Sequence, residues 1–592
     1  MDYFEKVHFR GRFRDYQQRV LDNADNYLKD GKINIVAAPG SGKTVLGLEL
    51  IRRLGSPCII LSPTTAIRQQ WGERFKDLFL DDKDDFSDLF STDLRKIKLV
   101  NSATYQALYS ATEKIADDSA KDGDFADDDY SDVDIFDVMR RFGIKTVCLD
   151  EAHHLRNEWQ KALEKFVRSL DKDVRIISLT ATPPYDAEGS EWARYKEICG
   201  EIDEEIFVPE LVGQNTLCPH QDYVYFNYPT EAEAQSFFRH KEQAEKALEE
   251  LKKLEVFSRL CAALNGEKDY DVLFSDAKGY VALATLLRRF GLTPDKKLVD
   301  ALTAKKGLPP FRIKYAETAL QFLIGGNLIP EEEKERIVSV LKSYSVFEKG
   351  KVTLDLDEKL KRTLISSVGK LESIKSIVKS EVETMKNRLR MLILTDYIKK
   401  ESLLNATSSE NFSSVNVVSI FETLRRENFG ADLGVLSGSL VILPESAIDG
   451  SETEDSPDFV KKTKKIDGTD YCVVEYSGAT HRVVNYVGRL FEQGKIQILI
   501  GTKSLLGEGW DSPCINSLIL ASFVGSFVLS NQMRGRAIRI DKNDEDKTAN
   551  IWHLVTIEPE YLFKDKLADK ISAYLAEDRN EIRSCDYDVL KR

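Results

Sequence analysis

The feature that most constrains the fold of this 592-residue chain is a glycine-rich turn between an apolar strand and an amphipathic helix. The strand is predicted at Ile33–Ala37, and Val45–Leu54 show the apolar spacing of a helix. The intervening residues can turn backbone N–H groups toward phosphate oxygens at the positive end of a helix dipole. They are Pro39, Gly40, Ser41, Gly42, Lys43 and Thr44. The pattern predicts phosphate binding, with Lys43 neutralising the β- and γ-phosphates and the Thr44 hydroxyl ligating Mg²⁺.

A second polar cluster, about a hundred residues later, supplies the groups that phosphate chemistry needs. The apolar strand Val147–Leu149 is followed by Asp150-Glu151-Ala152-His153. Asp150 can hold Mg²⁺, and Glu151 can position and deprotonate an attacking water molecule. Zinc binding by the two adjacent histidines is not expected, because no third ligand lies nearby in the sequence.

Strand and helix patterns alternate along two stretches of the chain, separated by a helical one. Alternation from about 10 to 210 predicts a parallel sheet with covered faces, and it returns from about 385. Between about 231 and 345, apolar residues recur at helical spacing among Glu and Lys. We therefore predict an α/β domain, a helical domain, and a second α/β domain with a C-terminal helical tail: 1–225, 226–370 and 371–592.

Two strongly polar segments interrupt this layout. Residues 117–137 contain ten Asp and are predicted to form a solvated loop, with a partner-binding or autoinhibitory segment as the alternative. Residues 445–470 are a polar insertion that contains four lysines.

Net charge limits the classes of partner without excluding nucleic acid. Lys and Arg number 84 and Asp and Glu 98, a net charge of −14, which excludes dense basic proteins such as histones. A local basic groove is nevertheless sufficient for nucleic-acid binding. The eight Cys lack zinc or redox spacing, and we find neither an apolar signal core nor a membrane span. These observations predict a cytoplasmic protein with reduced core thiols.

In order and spacing, the motifs resemble the superfamily 2 DEAD/DEAH-box helicases and translocases, in the DEAH form. The resemblance covers nearly the whole chain and implies two RecA-like parallel-sheet α/β domains with an all-helical insert between them. It also implies ATP and Mg²⁺ as cofactors. Ala37 stands where the usual phosphate-loop pattern has its first glycine.

The resemblance assigns further roles to residues outside the phosphate loop. Arg14 and Gln17 lie in an adenine-reading motif, and Gly509 and Asp511 lie in motif V, near the nucleotide. His153, Thr180 and Thr182 would couple the ATP site to the nucleic-acid strand. Contacts to the nucleic-acid backbone would come from motifs Ia, Ic, IV and V: Pro63, Thr64, Thr104, Thr395 and Thr502.

Motif VI supplies the cations that the reaction requires. In the resemblance, Gln532 and Arg536 reach the γ-phosphate and Arg539 acts beside them. Arg536 and Arg539 are three residues apart on a predicted helix, so they share a face. A guanidinium supplied from another domain stabilises the charge on a transferring phosphoryl group. ATP is therefore expected between the two α/β domains, and closure on ATP would be the motor step.

The helical domain lies between motif III, at residues 178–183, and motif IV, at residues 392–395. The duplex-gripping inserts of archaeal fork-processing helicases and double-stranded RNA sensors have the same place in the motif order. The helical domain could bind a duplex through its basic residues, or these could form an ordinary solvated surface. The basic residues are Arg288, Arg289, Lys296, Lys297, Lys305, Lys306, Arg312 and Lys314.

The function predicted from these motifs is an ATP-dependent DNA helicase or double-stranded DNA translocase. Motifs V and VI are similar to those of bacterial restriction and phage-defence motors. The expected partners are duplex or forked DNA, with RNA not excluded, and a nuclease or other effector subunit. The alternatives are an RNA helicase or double-stranded RNA-sensing ATPase, and an ATP-switched clamp that does not unwind.

Overall fold

The structure is a computed structural model that forms two compact units. The first unit lies within 4–225 and 371–554, and the second within 226–370 and 555–557. The residues described are 4–81, 85–114, 130–152, 157–170, 173–181, 183, 189–266, 276–303, 305–355, 360, 363, 366–395, 414–448, 460–476, 480–506, 510, 512–521 and 527–557.

An all-parallel sheet organises the amino-terminal domain. Its strands are Lys32–Ala37 (β1), Cys58–Ser62 (β2), Phe90–Ser91 (β3), Val100–Thr104 (β4), Thr146–Asp150 (β5), Arg175–Thr180 (β6) and Glu204–Ile206 (β7). Among the described residues their order is β3-β4-β2-β5-β6-β1-β7, and each neighbouring pair is parallel. β2, β4 and β5 are buried along their whole length, as expected for strands covered on both faces.

Helices connect these strands. They are Asp15–Tyr27 (α1), Lys43–Leu54 (α2), Thr65–Phe79 (α3), Phe86–Leu89 (α4), Tyr105–Glu113 (α5), Ile135–Phe142 (α6), Asn157–Ser169 (α7), Gly189–Cys199 (α8) and Val208–Gly213 (α9), with a 3₁₀ turn at Leu28–Asp30. Because carboxyl ends of parallel strands meet at one sheet edge, the residues after β1, β2, β4 and β5 lie along the same edge.

The second unit is mainly helical. Its helices are Glu231–Leu251 (α10), Glu255–Gly266 (α11), Ala277–Arg289 (α12), Lys296–Leu302 (α13), Ile313–Gly325 (α14) and Glu331–Ser343 (α15). A short antiparallel pair follows, Phe347–Glu348 (β9) and Lys351–Val352 (β10). Thr230 begins α10 with a capping box, in which the Glu233 carboxylate accepts from the Thr230 N–H at 2.8 Å. One apolar core extends through the unit, with buried residues from α10 to β10.

The carboxyl-terminal domain contains a mixed sheet. Its strands are His220–Asn227 (β8), Met391–Thr395 (β11), Leu433–Ser437 (β12), Leu440–Pro444 (β13), Val460–Lys465 (β14), Tyr471–Tyr476 (β15), Ile498–Thr502 (β16), Ser517–Leu520 (β17) and Ala549–Thr556 (β18). Its helices are Gly369–Met385 (α16), Val417–Glu427 (α17), Thr480–Glu492 (α18), Lys503–Leu506 (α19) and Phe527–Ala537 (α20), with 3₁₀ turns at Lys386–Arg388 and Glu445–Ala447. The strand order in the described chain is β14-β15-β13-β12-β16-β11-β17-β18-β8.

The centre of this sheet is parallel, from β12 through β16, β11 and β17 to β18. β13, β15 and β14 extend it as antiparallel strands. At the opposite edge β8, which follows the amino-terminal domain in sequence, pairs beside β18. The predicted fold class, two RecA-like α/β domains with a helical insert, is confirmed, whereas the antiparallel extension was not predicted.

Two polar segments differ from the sequence-based prediction. Part of the acidic segment 117–137 is helix α6, because the Asp134 carboxylate caps its amino terminus through the Asp137 N–H at 3.1 Å. Residues up to 129 in that segment lie outside the described residues. The polar insertion ends in the β14–β15 hairpin. No helix in the described ranges is long and apolar enough to cross a membrane.

Candidate nucleotide site

The phosphate loop, residues 38–42, has the backbone shape that phosphate binding requires. Gly40 and Gly42 have φ of 81° and 99°, a region that side chains with a Cβ rarely adopt. Gly42 directly precedes α2, so the first N–H groups of that helix open toward the loop. The Lys43 ammonium is buried and donates to the Ala37 carbonyl at 2.9 Å.

The segment before α1 holds the loop by its carbonyl oxygens. Arg14 Nη1 donates to the Gly40 carbonyl at 3.1 Å and also to the Ser41 carbonyl. Gln17 Nε2 donates to the Gly42 carbonyl at 3.0 Å. Tyr16, which was not predicted as a site residue, donates its hydroxyl to the Ser41 carbonyl at 2.9 Å. A peptide group points its N–H opposite its C=O, so these contacts turn loop N–H groups away from α1.

The polar groups of the loop suit a small anionic ligand. The Ser41 hydroxyl is buried and has no hydrogen-bond partner among the described residues. A Cβ at Gly42 would lie 2.9 Å from Gln17 Nε2, so a side chain there would displace the Gln17 amide as well as strain a backbone of positive φ. An orphaned hydroxyl beside open helix N–H groups is the donor set that a phosphate would complete.

The two acidic residues after β5 are held by different partners. Asp150 is buried and accepts a hydrogen bond from the Trp71 indole at 2.7 Å. Glu151 has φ of 50°; its Oε2 accepts from the Ala181 N–H at 3.1 Å, and its Oε1 lies 3.6 Å from Lys43 Nζ. Burial, and then the charge of Glu151, raise the pKa of Asp150, whereas Trp71 and Lys43 oppose the rise. A cation beside Asp150 would oppose this shift, because it favours the charged carboxylate.

The motif VI helix, α20, lies directly against the phosphate loop. A Cβ at Gly535 would lie only 2.4 Å from Pro39 Cβ, so the two backbones are in close contact. Arg539 lies over the loop, with its Cγ 3.4 Å from the position that a Cβ on Gly40 would take. It does not share a helix face with Arg536, as the sequence predicted, because α20 ends at Ala537 and Arg539 instead forms an isolated β-bridge with Leu217. Arg536 is buried on the same helix, together with part of Gln532. The two α/β domains therefore contribute to one site.

An ion pair that the sequence did not reveal ties α20 to β8. Arg534 donates through Nε and Nη2 to the two carboxylate oxygens of Asp222 on β8, at 2.8 Å for Nε. His553 Nε2 on β18 lies 2.8 Å from Asp222 Oδ1. Burial raises the pKa of Asp222, but the hydrogen bond to His553 and the Arg534 charge outweigh it, and the net pKa lies well below the ordinary value.

The residues predicted to contact nucleic acid lie in pairs at neighbouring strand ends. Ser62, next to Pro63 and Thr64, is in register with Thr104. Thr395 is in register with Thr502. The hydroxyls of Thr64 and Thr104 cap α3 and α5, through the Ile67 N–H at 3.3 Å and the Ala107 N–H at 3.0 Å.

Exposure differs among these residues. Thr64 is half-buried, whereas these others are buried: Pro63, Thr104, Thr395 and Thr502. Thr180 is buried at the end of β6. Thr44 is half-buried in the first turn of α2. Four predicted site residues lie outside the described residues: His153, Thr182, Gly509 and Asp511.

Comparisons with known proteins show similarity to helicase-related sequences over the amino-terminal part of the chain. Residues 10–185 match the family described as the type III restriction enzyme, res subunit. The chain is 27% identical over 188 residues to a protein of Haloarcula marismortui named as a candidate DNA 3'-5' helicase, Rad25. These matches support the superfamily 2 helicase family and the enzyme class, a helicase-type ATPase, that the motifs predict.

The extent of these similarities is limited. The match to the Haloarcula protein covers 31% of this chain and 25% of that protein's length. A solved structure, the Hef helicase domain of Pyrococcus furiosus, is similar with a TM-score of 0.42 and 16% identity. That similarity covers 95% of this chain and 98% of the Hef chain.

Proposed function

We propose that this protein is an ATP-dependent DNA helicase or double-stranded DNA translocase that hydrolyses ATP between its two α/β domains. The observation that carries the proposal is the contact of α20 with the phosphate loop. It places Arg539 over Gly40 in the same site as the Lys43–Glu151 pair. A site completed by two domains can convert a change at the phosphate into domain movement.

Each residue of the site has a role that its surroundings support. The phosphate loop and Lys43 would hold the phosphates, and Thr44 and Asp150 would hold Mg²⁺. When bound, Mg²⁺ neutralises phosphate charge. Glu151 can accept a proton from water, because one of its oxygens is fixed by Ala181 and the other faces Lys43.

Arg536 on α20 and Arg539, two residues beyond the end of that helix, would stabilise negative charge as it develops on the phosphoryl oxygens. Arg536 is buried and Arg539 lies over the phosphate loop. Guanidinium groups in such a desolvated site act more strongly than they would in water, and an arginine in this role contributes roughly 10³–10⁵ in rate. Loss of that charge on phosphate release would weaken the contact between α20 and the loop, which gives the opening step of a motor cycle.

We place the grip on duplex nucleic acid in the helical unit. Six cations from α13 to the start of α14 are exposed: Lys296, Lys297, Lys305, Lys306, Arg312 and Lys314. Arg288 and Arg289 serve the unit itself, because Arg288 donates to the Leu308 carbonyl at 3.4 Å and Arg289 lies 3.6 Å from Glu245. The six are exposed and can therefore contact phosphates.

Charge reversal tests this grip. Lys296, Lys297, Lys305 and Lys306, all changed to Glu, should lose duplex-stimulated ATP hydrolysis and keep the basal rate. The control reverses two exposed cations elsewhere in the unit, Lys278→Glu and Lys351→Glu. Each lost phosphate contact should lower the salt slope of duplex binding by about one. If the quadruple variant retains full duplex affinity, the surface is an ordinary solvated one.

The substrate class is tested by ATP hydrolysis with single- and double-stranded DNA and RNA. We expect duplex DNA to stimulate most, in line with the match to the restriction-enzyme family and with the helicase name of the Haloarcula relative. The proposed role in bacterial restriction or phage defence, with a nuclease or effector subunit, requires that result and is supported by the match to the restriction-enzyme family. Stimulation by RNA alone would favour an RNA helicase or sensor. ATP binding without turnover would favour a clamp.

A further inference from the structure

Two helices of the amino-terminal domain connect predicted nucleic-acid contacts to the acidic residue of the nucleotide site. α3 begins after the capping residue Thr64, and α5 begins after the capping residue Thr104. Their preceding strands, β2 and β4, are parallel neighbours. Each helix also carries an aromatic side chain that reaches Asp150, and the proposed mechanism uses neither of them.

Trp71 lies two turns into α3 and is completely buried. Its indole Nε1 donates to Asp150 Oδ2 at 2.7 Å. A Cβ at Gly47 on α2 would lie 2.6 Å from Trp71 Cη2, so the indole fits tightly against the phosphate-loop helix. Close packing leaves the ring little freedom to turn, and the direction of its N–H is therefore fixed.

Tyr105 is the first residue of α5 and is also buried. Its hydroxyl donates to the Asp150 backbone carbonyl at 2.9 Å, and its ring stacks on Trp159 with centroids 6.3 Å apart. Asp150 is thus held twice, through its carboxylate by α3 and through its backbone by α5.

We propose that Trp71 and Tyr105 are positioning residues that set the orientation of Asp150 and pass movements of α3 and α5 to it. The inference rests on the proposed function, in which Asp150 holds Mg²⁺. A buried carboxylate that loses one of its donors reorients toward another, so a displaced indole would change the geometry presented to the cation. Nucleic acid that contacts the capped ends of α3 and α5 would in this way be sensed at the nucleotide site.

The test uses Trp71→Phe and Tyr105→Phe, which remove the donor atoms and keep aromatic rings. Trp192→Phe is the matched control, because Trp192 packs on Tyr195 in the same domain, with centroids 5.5 Å apart. The first readout is the affinity for a fluorescent ADP analogue with Mg²⁺ and with EDTA. The second is kcat and KM for ATP with and without duplex DNA.

For the wild type and the control, Mg²⁺ should tighten ADP binding and DNA should stimulate hydrolysis. In Trp71→Phe, the factor by which Mg²⁺ tightens ADP binding should be about tenfold smaller than in the wild type, and the ADP affinity in EDTA should be unchanged. A tenfold loss is the usual size for a residue that orients a metal ligand. The same variant should also lower kcat more than it changes KM, and reduce the stimulation by DNA. Tyr105→Phe should act in the same direction.

Different results would refute the inference and the proposed function. If both variants keep the Mg²⁺ effect and the DNA stimulation of the wild type, the inference is wrong and the proposed function stands. If the wild type neither binds ADP nor hydrolyses ATP, the proposed function fails and the inference fails with it. Should Trp71→Phe not fold, Tyr105→Phe alone decides, because it removes only a hydroxyl.

Discussion

Gly535→Ala should separate folding stability from catalysis in this protein. Gly535 lies within helix α20, where alanine is favoured over glycine by about 1 kcal/mol. The added methyl group, however, would lie 2.4 Å from Pro39 Cβ, whereas ordinary contact begins at 3.4 Å. Either α20 or the phosphate loop must therefore move by about 1 Å. A displacement of that size between reacting groups costs roughly 100-fold in rate, or about 2.7 kcal/mol of transition-state stabilisation.

The assay is steady-state phosphate release at saturating ATP and duplex DNA, together with thermal unfolding. We expect kcat to fall about 100-fold while the melting temperature changes little, because the gain in helix propensity offsets part of the contact strain. The control is Gly325→Ala at the end of α14, where nothing lies within 4 Å of the added methyl group. A Gly535→Ala protein with wild-type kcat would refute the contact between α20 and the phosphate loop as a catalytic requirement.

Three further predictions concern charged groups. Lys43→Ala should abolish ATP turnover, and Glu151→Gln should keep nucleotide binding while losing hydrolysis, as measured by equilibrium binding and phosphate release. Asp222→Asn should lower the free energy of unfolding by about 1–2 kcal/mol, because the Asp222–Arg534 ion pair is intermediate between exposed and buried pairs. The same change should reduce kcat, because α20 would be held less firmly. The pKa of Asp222 is lower in the folded protein than in the unfolded chain. The difference in unfolding free energy between the wild type and Asp222→Asn should therefore be complete above about pH 4 and should disappear as the pH falls further. Chemical denaturation at a series of pH values measures it. Nucleic-acid affinity should decrease steeply with salt despite the net charge of −14, and a flat salt dependence in fluorescence anisotropy would argue against a phosphate-tracking groove.

Patterns among neighbouring residues in the sequence predicted much of the fold and of the nucleotide site. The strand–turn–helix signal at the phosphate loop, and the apolar runs before Asp150 and Thr395, are local features, and the structure has strands at both runs. Helix α6 could also have been predicted from the sequence, because Asp134 is followed by apolar residues at helical spacing, Ile135, Val138 and Met139. The excess of negative charge obscured that spacing.

Contacts between distant segments could not be predicted in this way. Asp222 and Arg534 are 312 residues apart, and their pairing depends on β8 joining the second sheet rather than the first. The hydrogen bond from Trp71 to Asp150 depends on α3 packing over Gly47. Neither leaves a periodic signal, because one side chain from each segment carries the interaction.

The measurement that tests the central claim most directly is ATP hydrolysis by the wild type and by Arg536→Ala, each with and without duplex DNA. If the two α/β domains form one catalytic site, the wild type hydrolyses ATP faster with DNA. Arg536→Ala should then bind ATP with similar affinity but lose hydrolysis by about 10³-fold or more. Normal, DNA-stimulated turnover by Arg536→Ala, or no turnover by the wild type with any nucleic acid, would contradict the account.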